Sequence, residues 1–228
     1  MSPKVVAVAN AAGGSAKTTV AHALSVASVE YGKKTLLIDC DPKASLTFRV
    51  GREGTRLTLA DFLSRTSIRS EDLDPHSERF DFISADSRVG NGFTGQDMKA
   101  LLEKLPKEYD VVIIDTPSDI NASLKAALDV ADLVLVPYSN TLHHLRGVSQ
   151  ISKLSADTPI KLLAIGENSM PIKEFSEWEH LDGSCSIAKE IEAAAHTTTS
   201  VLTYAKISTV AGELRECAYS VLEVLGLD

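Results

Sequence analysis

The sequence predicts an α/β fold: a mostly parallel, twisted sheet with helices on both faces. Two observations predict it. Short apolar, β-branched runs such as Val111-Val112-Ile113-Ile114 recur along the chain, and longer stretches of helical period separate them. That alternation is the pattern of crossover connections between parallel strands buried on both faces. At 228 residues the chain has the size of one domain, and residues 1–228 are expected to form a single unit with no helix-turn-helix segment ahead of the first strand.

Strands are expected at 4–9, 35–39, 80–84, 109–115, 133–137 and 161–166, each a run of apolar residues bounded by Gly, Pro, Asp or Lys. Helices are expected at 17–31, 58–65, 94–105, 119–130 and 141–155. The first is the clearest, because Val20, Ala23, Leu24, Ala27 and Val29 crowd one side. A last helix over about 206–226 carries Ile207, Val210, Ala211, Leu214, Cys217, Val221, Leu222 and Leu225 at three-to-four spacing. It reads as a core-docking helix, since a membrane-surface helix would set basic residues opposite the apolar face, and only Lys206 and Arg215 are present. Thr197-Thr198-Thr199-Ser200 reads as a loop.

Composition narrows the function classes. No apolar run approaches the ~18 residues of a membrane span. The opening segment has no basic stretch, so a cytoplasmic protein is expected. Cys40, Cys185 and Cys217 are far apart and odd in number, which argues against a disulfide framework or a metal-thiolate site and for buried thiols. The net charge is -8, but Arg49, Arg52, Arg56, Arg65 and Arg69 face only Glu53 and Asp61 in their own segment. This polarity permits a basic patch on an acidic protein.

The chemistry starts at the first strand-to-helix junction. Asn10-Ala11-Ala12-Gly13-Gly14-Ser15-Ala16-Lys17-Thr18-Thr19 runs from a strand through small residues into Lys-Thr-Thr at a helix start. Small residues let backbone N–H groups converge on phosphate oxygens, and the helix N-terminus adds partial positive charge. Gly13, Gly14, Ser15, Ala16, Lys17, Thr18 and Thr19 are therefore the candidate phosphate cradle, with Lys17 on the β/γ-phosphates and the Thr18 hydroxyl on Mg²⁺. Ala11 and Ala16 stand where the plain G-x-x-x-x-G-K-[ST] pattern has glycine. If position 16 needs a positive φ, its Cβ costs ~1–2 kcal/mol.

Carboxylates follow at the ends of two further strands. Asp39 and Asp41 lie two apart in Leu37-Ile38-Asp39-Cys40-Asp41-Pro42, and Asp115 closes the run from Asp110. In a parallel sheet these strand ends meet the phosphate loop at one edge, and Asp115 fits the carboxylate that holds the water shell of Mg²⁺.

These residues make the chain resemble the ParA/MinD family of deviant Walker-A P-loop ATPases. The resemblance rests on Asn10 to Thr19, Leu37 to Pro42, Thr58 to Leu63, Tyr109 to Pro117, Val134 to Pro137 and Leu145 to Val148. It covers about residues 4–150 and fades beyond 160. It implies a P-loop NTPase fold, ATP and Mg²⁺ as ligands, and a homodimer formed on ATP. By the same resemblance Asp39 positions or activates the attacking water and contributes to the metal site with Thr18 and Asp115. Asp41 is the second carboxylate near the switch region, and Pro137 borders the adenine. The family's signature lysine falls on Ala12. Loss of a cation of that kind, by analogy with arginine fingers, is worth 10³–10⁵ in rate. Either hydrolysis is weak or another cation substitutes; Lys153 and Lys125 are the candidates.

The function expected from the resemblance is that of a small ParA-type ATPase. It would cycle on and off nonspecific DNA at the nucleoid to partition or position a plasmid, chromosome or carboxysome-type cargo, stimulated by a ParB-like or small adaptor protein. The rivals are a nucleotide-gated binding module that barely turns over ATP and a MinD-like membrane regulator, the latter short of a basic amphipathic C-terminus.

Overall fold

The computed structural model describes residues 2–155, 157–166 and 173–228. Its strands are β1 (Lys4–Val8), β2 (Thr35–Asp39), β3 (Asp74–Pro75), β4 (Asp81–Ile83), β5 (Val111–Asp115), β6 (Leu133–Tyr138), β7 (Ile160–Ile165) and β8 (His180–Cys185). They form one sheet in the order β3-β4-β2-β5-β1-β6-β7-β8. Every pairing is parallel except that of the two-residue β3 with β4. The helices are α1 (Lys17–Glu30), α2 (Ser45–Arg49), α3 (Leu59–Ser64), α4 (Gly95–Lys104), α5 (Ala122–Asp129), α6 (Leu142–Leu154), α7 (Lys189–Ala194), α8 (Val201–Tyr204) and α9 (Thr209–Val224).

All six expected strands are present, and the expected helices appear slightly trimmed. Side chains that compete for the backbone set the new starts. Asn121 accepts from Leu124 N and opens α5 three residues late, and Ser208 does the same for α9 through Ala211 N. β8 carries no signal in its residues, since His180-Leu181-Asp182-Gly183-Ser184-Cys185 contain no apolar run. The short helices α2, α7 and α8 were also unsignalled, being too brief for a period to show.

Alternation along the strands divides the core between two faces. Val6 and Val8 of β1 join Leu37, Ile113, Leu135 and Leu163 beneath α1 and α9. On the opposite face Val5, Ile38, Val112 and Ile114 pack under Phe62, Met98, Leu101 and Ala126, while Ala7, Val134 and Val136 pack under Leu124, Val148 and Ile151. Helix α1 is buried almost all round, including His22, Ser25 and Ser28. His22 Nε2 meets Glu78 Oε2 at 2.6 Å, and Glu78 also accepts from Ser200 N at 3.0 Å and from the Thr203 hydroxyl. The apolar face of α9 is consumed by this core: Val210, Leu214, Cys217, Ala218 and Val221 are all buried in it. The three cysteines are free and buried, and burial pushes the Cys185 and Cys217 thiols up to about 12.

Three of the five arginines between 49 and 69 are paired with carboxylates. Arg52 pairs with Asp74 at 2.9 Å, Arg65 with Asp72 at 2.8 Å, and Arg69 with Glu71 and Asp72. The acidic partners come from the segment just downstream, which the fold turns back onto the arginines. Arg88 likewise clasps the start of α3, donating to both Asp61 oxygens at 2.8 Å and to Asp86 and Thr58. These hydrogen bonds hold the Asp61 carboxyl down at about 2. A depressed carboxylate contributes stability that is full above its unfolded value near 4 and is lost as pH falls through the folded value. Arg88→Ala is therefore expected to return the Asp61 titration, followed by NMR, from about 2 toward 4. The acid-unfolding midpoint should rise with it, and the stability difference from wild type should vanish below the folded value.

Candidate nucleotide site

The loop that leaves β1 is built from small residues and held from one side. Asn10 donates through Nδ2 to the Pro137 carbonyl at 2.9 Å and accepts the Ala12 N–H on Oδ1 at 2.9 Å. It thereby ties the loop to the end of β6. Helix α6 supplies the rest. His144 accepts the Ser139 N–H on Nδ1 at 2.8 Å, which leaves its Nε2–H facing the Gly13 carbonyl at 3.4 Å. Gly147 lies directly against the loop, for a Cβ there would sit 2.0 Å from Asn10 Oδ1 and 2.9 Å from Ala12 N.

The chain then enters α1 through two left-handed residues, Gly14 (φ 74°) and Ala16 (φ 65°). Ala16 keeps its N–H in place at a conformational cost of ~1–2 kcal/mol that glycine would avoid. Gly13 and Gly14 are exposed, Ser15 and Lys17 buried, and Thr18 and Thr19 half-buried. With no ligand present the Lys17 ammonium folds back on the loop, donating to the Ala12 carbonyl at 3.1 Å and to Ser15 Oγ at 3.4 Å. Burial lowers its pKa, opposed by the nearby carboxylates of Asp115, Asp41 and Asp119.

Register brings the carboxylates to this point. Asp39 of β2 and Asp115 of β5 are direct neighbours, and Val8 of β1 is the partner of Asp115 on its other side. The Thr18 hydroxyl donates to Asp115 Oδ2 at 2.8 Å, while Asp115 Oδ1 is buried without a hydrogen-bond partner. Burial, reinforced by the charge of Asp39, raises the Asp115 pKa well above the carboxylate range. A buried carboxylate oxygen with no donor, beside a hydroxyl at the head of a phosphate loop, suits a hard divalent cation that keeps most of its ligands as water and phosphate. Among the described residues no cluster of three or more His, Cys, Asp or Glu could hold a metal by itself.

Asp39 is fully buried, with Oδ1 accepting the Asp41 N–H at 3.0 Å and Oδ2 accepting both the N–H and the hydroxyl of Thr47 at 2.8 Å. Burial raises its pKa despite these donors. The three donors tie the end of β2 to α2. Asp41 is half-buried, accepts from Lys43 N on Oδ1 alone, and lies within electrostatic reach of Lys17. Pro137 is buried within the sheet, and its carbonyl serves Asn10, so it supports the loop from behind. Lys153 and Lys125 are both exposed. The cations with contacts at the site are two that sequence reasoning did not place there. Lys43 bridges to Asp119 at 3.1 Å, and Arg49 donates to Thr19 Oγ1 at 3.0 Å. His144 and Thr47 were missed as well; nothing local marks either as facing the loop.

Replacing Gly147 by alanine should force α6 and the loop apart. Overpacking of this kind costs about 1–3 kcal/mol, so Gly147→Ala is expected to lower stability to urea by that order and to broaden the amide resonances of Ala12 and Gly13.

Comparison with known proteins agrees with this geometry. Residues 3–158 match the AAA domain family. The chromosome partitioning protein ParA of Caulobacter vibrioides is 30% identical over 163 residues, 66% of this chain and 61% of that protein. The sporulation initiation inhibitor protein Soj of Bacillus subtilis is 27% identical over 168 residues, 65% of this chain and 63% of that protein. The matched region thus spans a little under two thirds of the length of these curated relatives. In structure, the septum site-determining protein MinD from Pyrococcus horikoshii, solved with Mg-ADP, superposes with a TM-score of 0.83 at 20% identity, covering 99% of this chain and 98% of that one. With the family matched across more than half its length and the loop and strand-end aspartates gathered at one sheet edge, the chain belongs to the ParA/MinD family of P-loop ATPases.

Proposed function

We propose that this protein binds ATP with Mg²⁺ at the β1–α1 loop, dimerises on it, and hydrolyses it to partition or position a cargo on DNA. One observation carries the nucleotide reading. Lys17 and Thr18 open α1, and Thr18 is hydrogen-bonded to an Asp115 whose second oxygen is buried and unpartnered. The metal would be held by Thr18 and Asp115, where it supplies charge neutralisation on the phosphates. Lys17 exchanges the Ala12 carbonyl for β/γ-phosphate oxygens, which strengthens its hold because an ammonium prefers an anionic acceptor. The loop amides and the α1 N-terminus complete the cradle. Asp41, rather than Asp39, orients the attacking water, since of these two Asp41 is the one with an oxygen that accepts no hydrogen bond, and it lies within electrostatic reach of Lys17.

Dimerisation and an adaptor protein enter from the family resemblance, and DNA from a relative named as a chromosome partitioning protein. Phobic groups around the site support the dimer. Phe48 of α2, Ile120 ahead of α5 and Leu142 of α6 are large, apolar and exposed. Nonspecific DNA retention would draw on basic groups outside the paired arginines; Arg56 is exposed in that segment. A nucleoid-associated, cytoplasmic location accompanies this reading. Among the described residues no helix is long and apolar enough to cross a membrane, and the apolar face of α9 is already buried, which weighs against membrane association through this helix. A second reading, a nucleotide-gated module with slow turnover, is favoured by Ala12, a buried methyl where the family carries its lysine.

Lys17→Ala is expected to weaken ATP binding at least a hundredfold by calorimetry, and unchanged affinity would refute the loop assignment. Asp41→Asn should retain ATP binding and the ATP-dependent dimer, seen by light scattering, while losing hydrolysis. Asp39→Ala should instead lower thermal stability, because it leaves the Thr47 and Asp41 donors buried without an acceptor, at about 1–3 kcal/mol. ATP-dependent retention on DNA that falls steeply with salt would support the positioning reading. A dimer that hydrolyses ATP and ignores DNA at low salt would remove that part.

A further inference from the structure

Arg49 closes α2 and is the partly buried arginine of this region that has no carboxylate partner. Its neighbours Arg52, Arg65 and Arg69 each have one. Arg49 points toward the nucleotide loop, with Nη1 donating to Thr19 Oγ1 at 3.0 Å and Nε buried without any acceptor. Burying a guanidinium without a counter-charge is costly, and burial pulls its pKa below the ordinary arginine value, opposed by the charge of Asp115. A cation held this way is preorganised for an anion that arrives with the ligand. Thr19 points to the same conclusion. Its oxygen is occupied as an acceptor, so its hydroxyl proton is free to be donated in turn.

We infer that Arg49, acting with Thr19 in the same subunit, binds the α/β end of the nucleotide's phosphate chain. This rests on the nucleotide reading proposed above. The assignment to that end follows from order along α1. Lys17 and Thr18 serve the terminal phosphates and the metal, and Thr19 is the next residue into the helix, reached from the side by Arg49. The site thereby gains a second cation in cis against Asp41, Asp115 and Asp119, where position 12 supplies none. Because the α- and β-phosphates are common to ATP and ADP, Arg49 contributes equally to both and acts on affinity rather than on turnover.

The test compares Arg49→Met, which keeps the bulk without the charge, with Arg49→Lys, which keeps the charge. Calorimetry with ADP and with ATP, each with Mg²⁺, gives the affinities, and thermal melting of the ligand-free protein gives the stability. Arg49→Met is expected to lose about ten- to hundredfold in affinity for both nucleotides, the range of a charge-assisted hydrogen bond. Arg49→Lys should recover most of the affinity, and the ligand-free Arg49→Met protein should melt no lower than wild type. Equal affinities of the Met and Lys variants would mean that the side chain only packs, and would overturn the inference. So would a fall in kcat with ADP affinity unchanged, which would place Arg49 at the γ-phosphate. Wild type that binds no ADP, indistinguishable from Lys17→Ala, would overturn the nucleotide reading itself and this inference with it, whereas wild type that binds ADP alongside an unaffected Arg49→Met overturns the inference alone.

Discussion

Parallel pairing of β1, β5 and β2 in a single register decides where every charged group of the site lies. Because Val8 is paired with Asp115 and Asp115 with Asp39, the phosphate loop and two carboxylates leave the sheet side by side. Apolar packing on both faces locks that register, since a one-residue slip would turn the inward residues of each strand outward. The resulting closeness is unfavourable by itself: burial raises both pKa values, and the charge of Asp39 raises that of Asp115 further. The fold compensates unequally. Asp39 is surrounded by donors from α2, and Asp115 is given one hydroxyl and otherwise left bare. Two chemically identical side chains thus end in opposite surroundings, one saturated with donors and one with a bare oxygen.

The loop itself depends on support from a distant part of the chain. Its two left-handed residues include an alanine, a conformation that persists only where neighbours over-determine it. Those neighbours are Asn10 reaching to β6, His144 at Gly13, and the bare backbone of Gly147 against Asn10 and Ala12. Helix α6 is the back wall of the site as much as a cover for the sheet, and the absence of a side chain at 147 sets how closely the two meet.

Much of this was legible in the residues alone, for physical reasons. Fully buried strands read as apolar runs, so β1, β2, β5 and β6 announced themselves; β8, half exposed and lined with His, Asp and Ser, did not. Lys17, Thr18 and Asp115 were readable because a phosphate cradle constrains residue type at fixed positions. The unlike surroundings of Asp39 and Asp41 were not. They come from Thr47, eight residues on, whose N–H and hydroxyl both donate to Asp39. Nor could charge counting succeed between 49 and 69. The partners Asp72 and Asp74 lie just outside that window, and Arg49, counted with the others, faces the loop instead.

The stretch matching the AAA domain family ends at residue 158, yet contacts do not thin out there. Leu214, Cys217 and Ala218 share a core with Val20, Leu24 and Leu135. Glu78 is bound by Ser200 and Thr203, and Arg215 grips Glu30 at 2.6 Å. A fragment severed at the end of the similarity would leave the inner side of α1 wet, strip Glu78 of its Ser200 and Thr203 donors and open β6 as a raw edge ready to pair with strangers. The recognisable portion marks the reach of a shared chemistry; it is not a piece that could stand by itself.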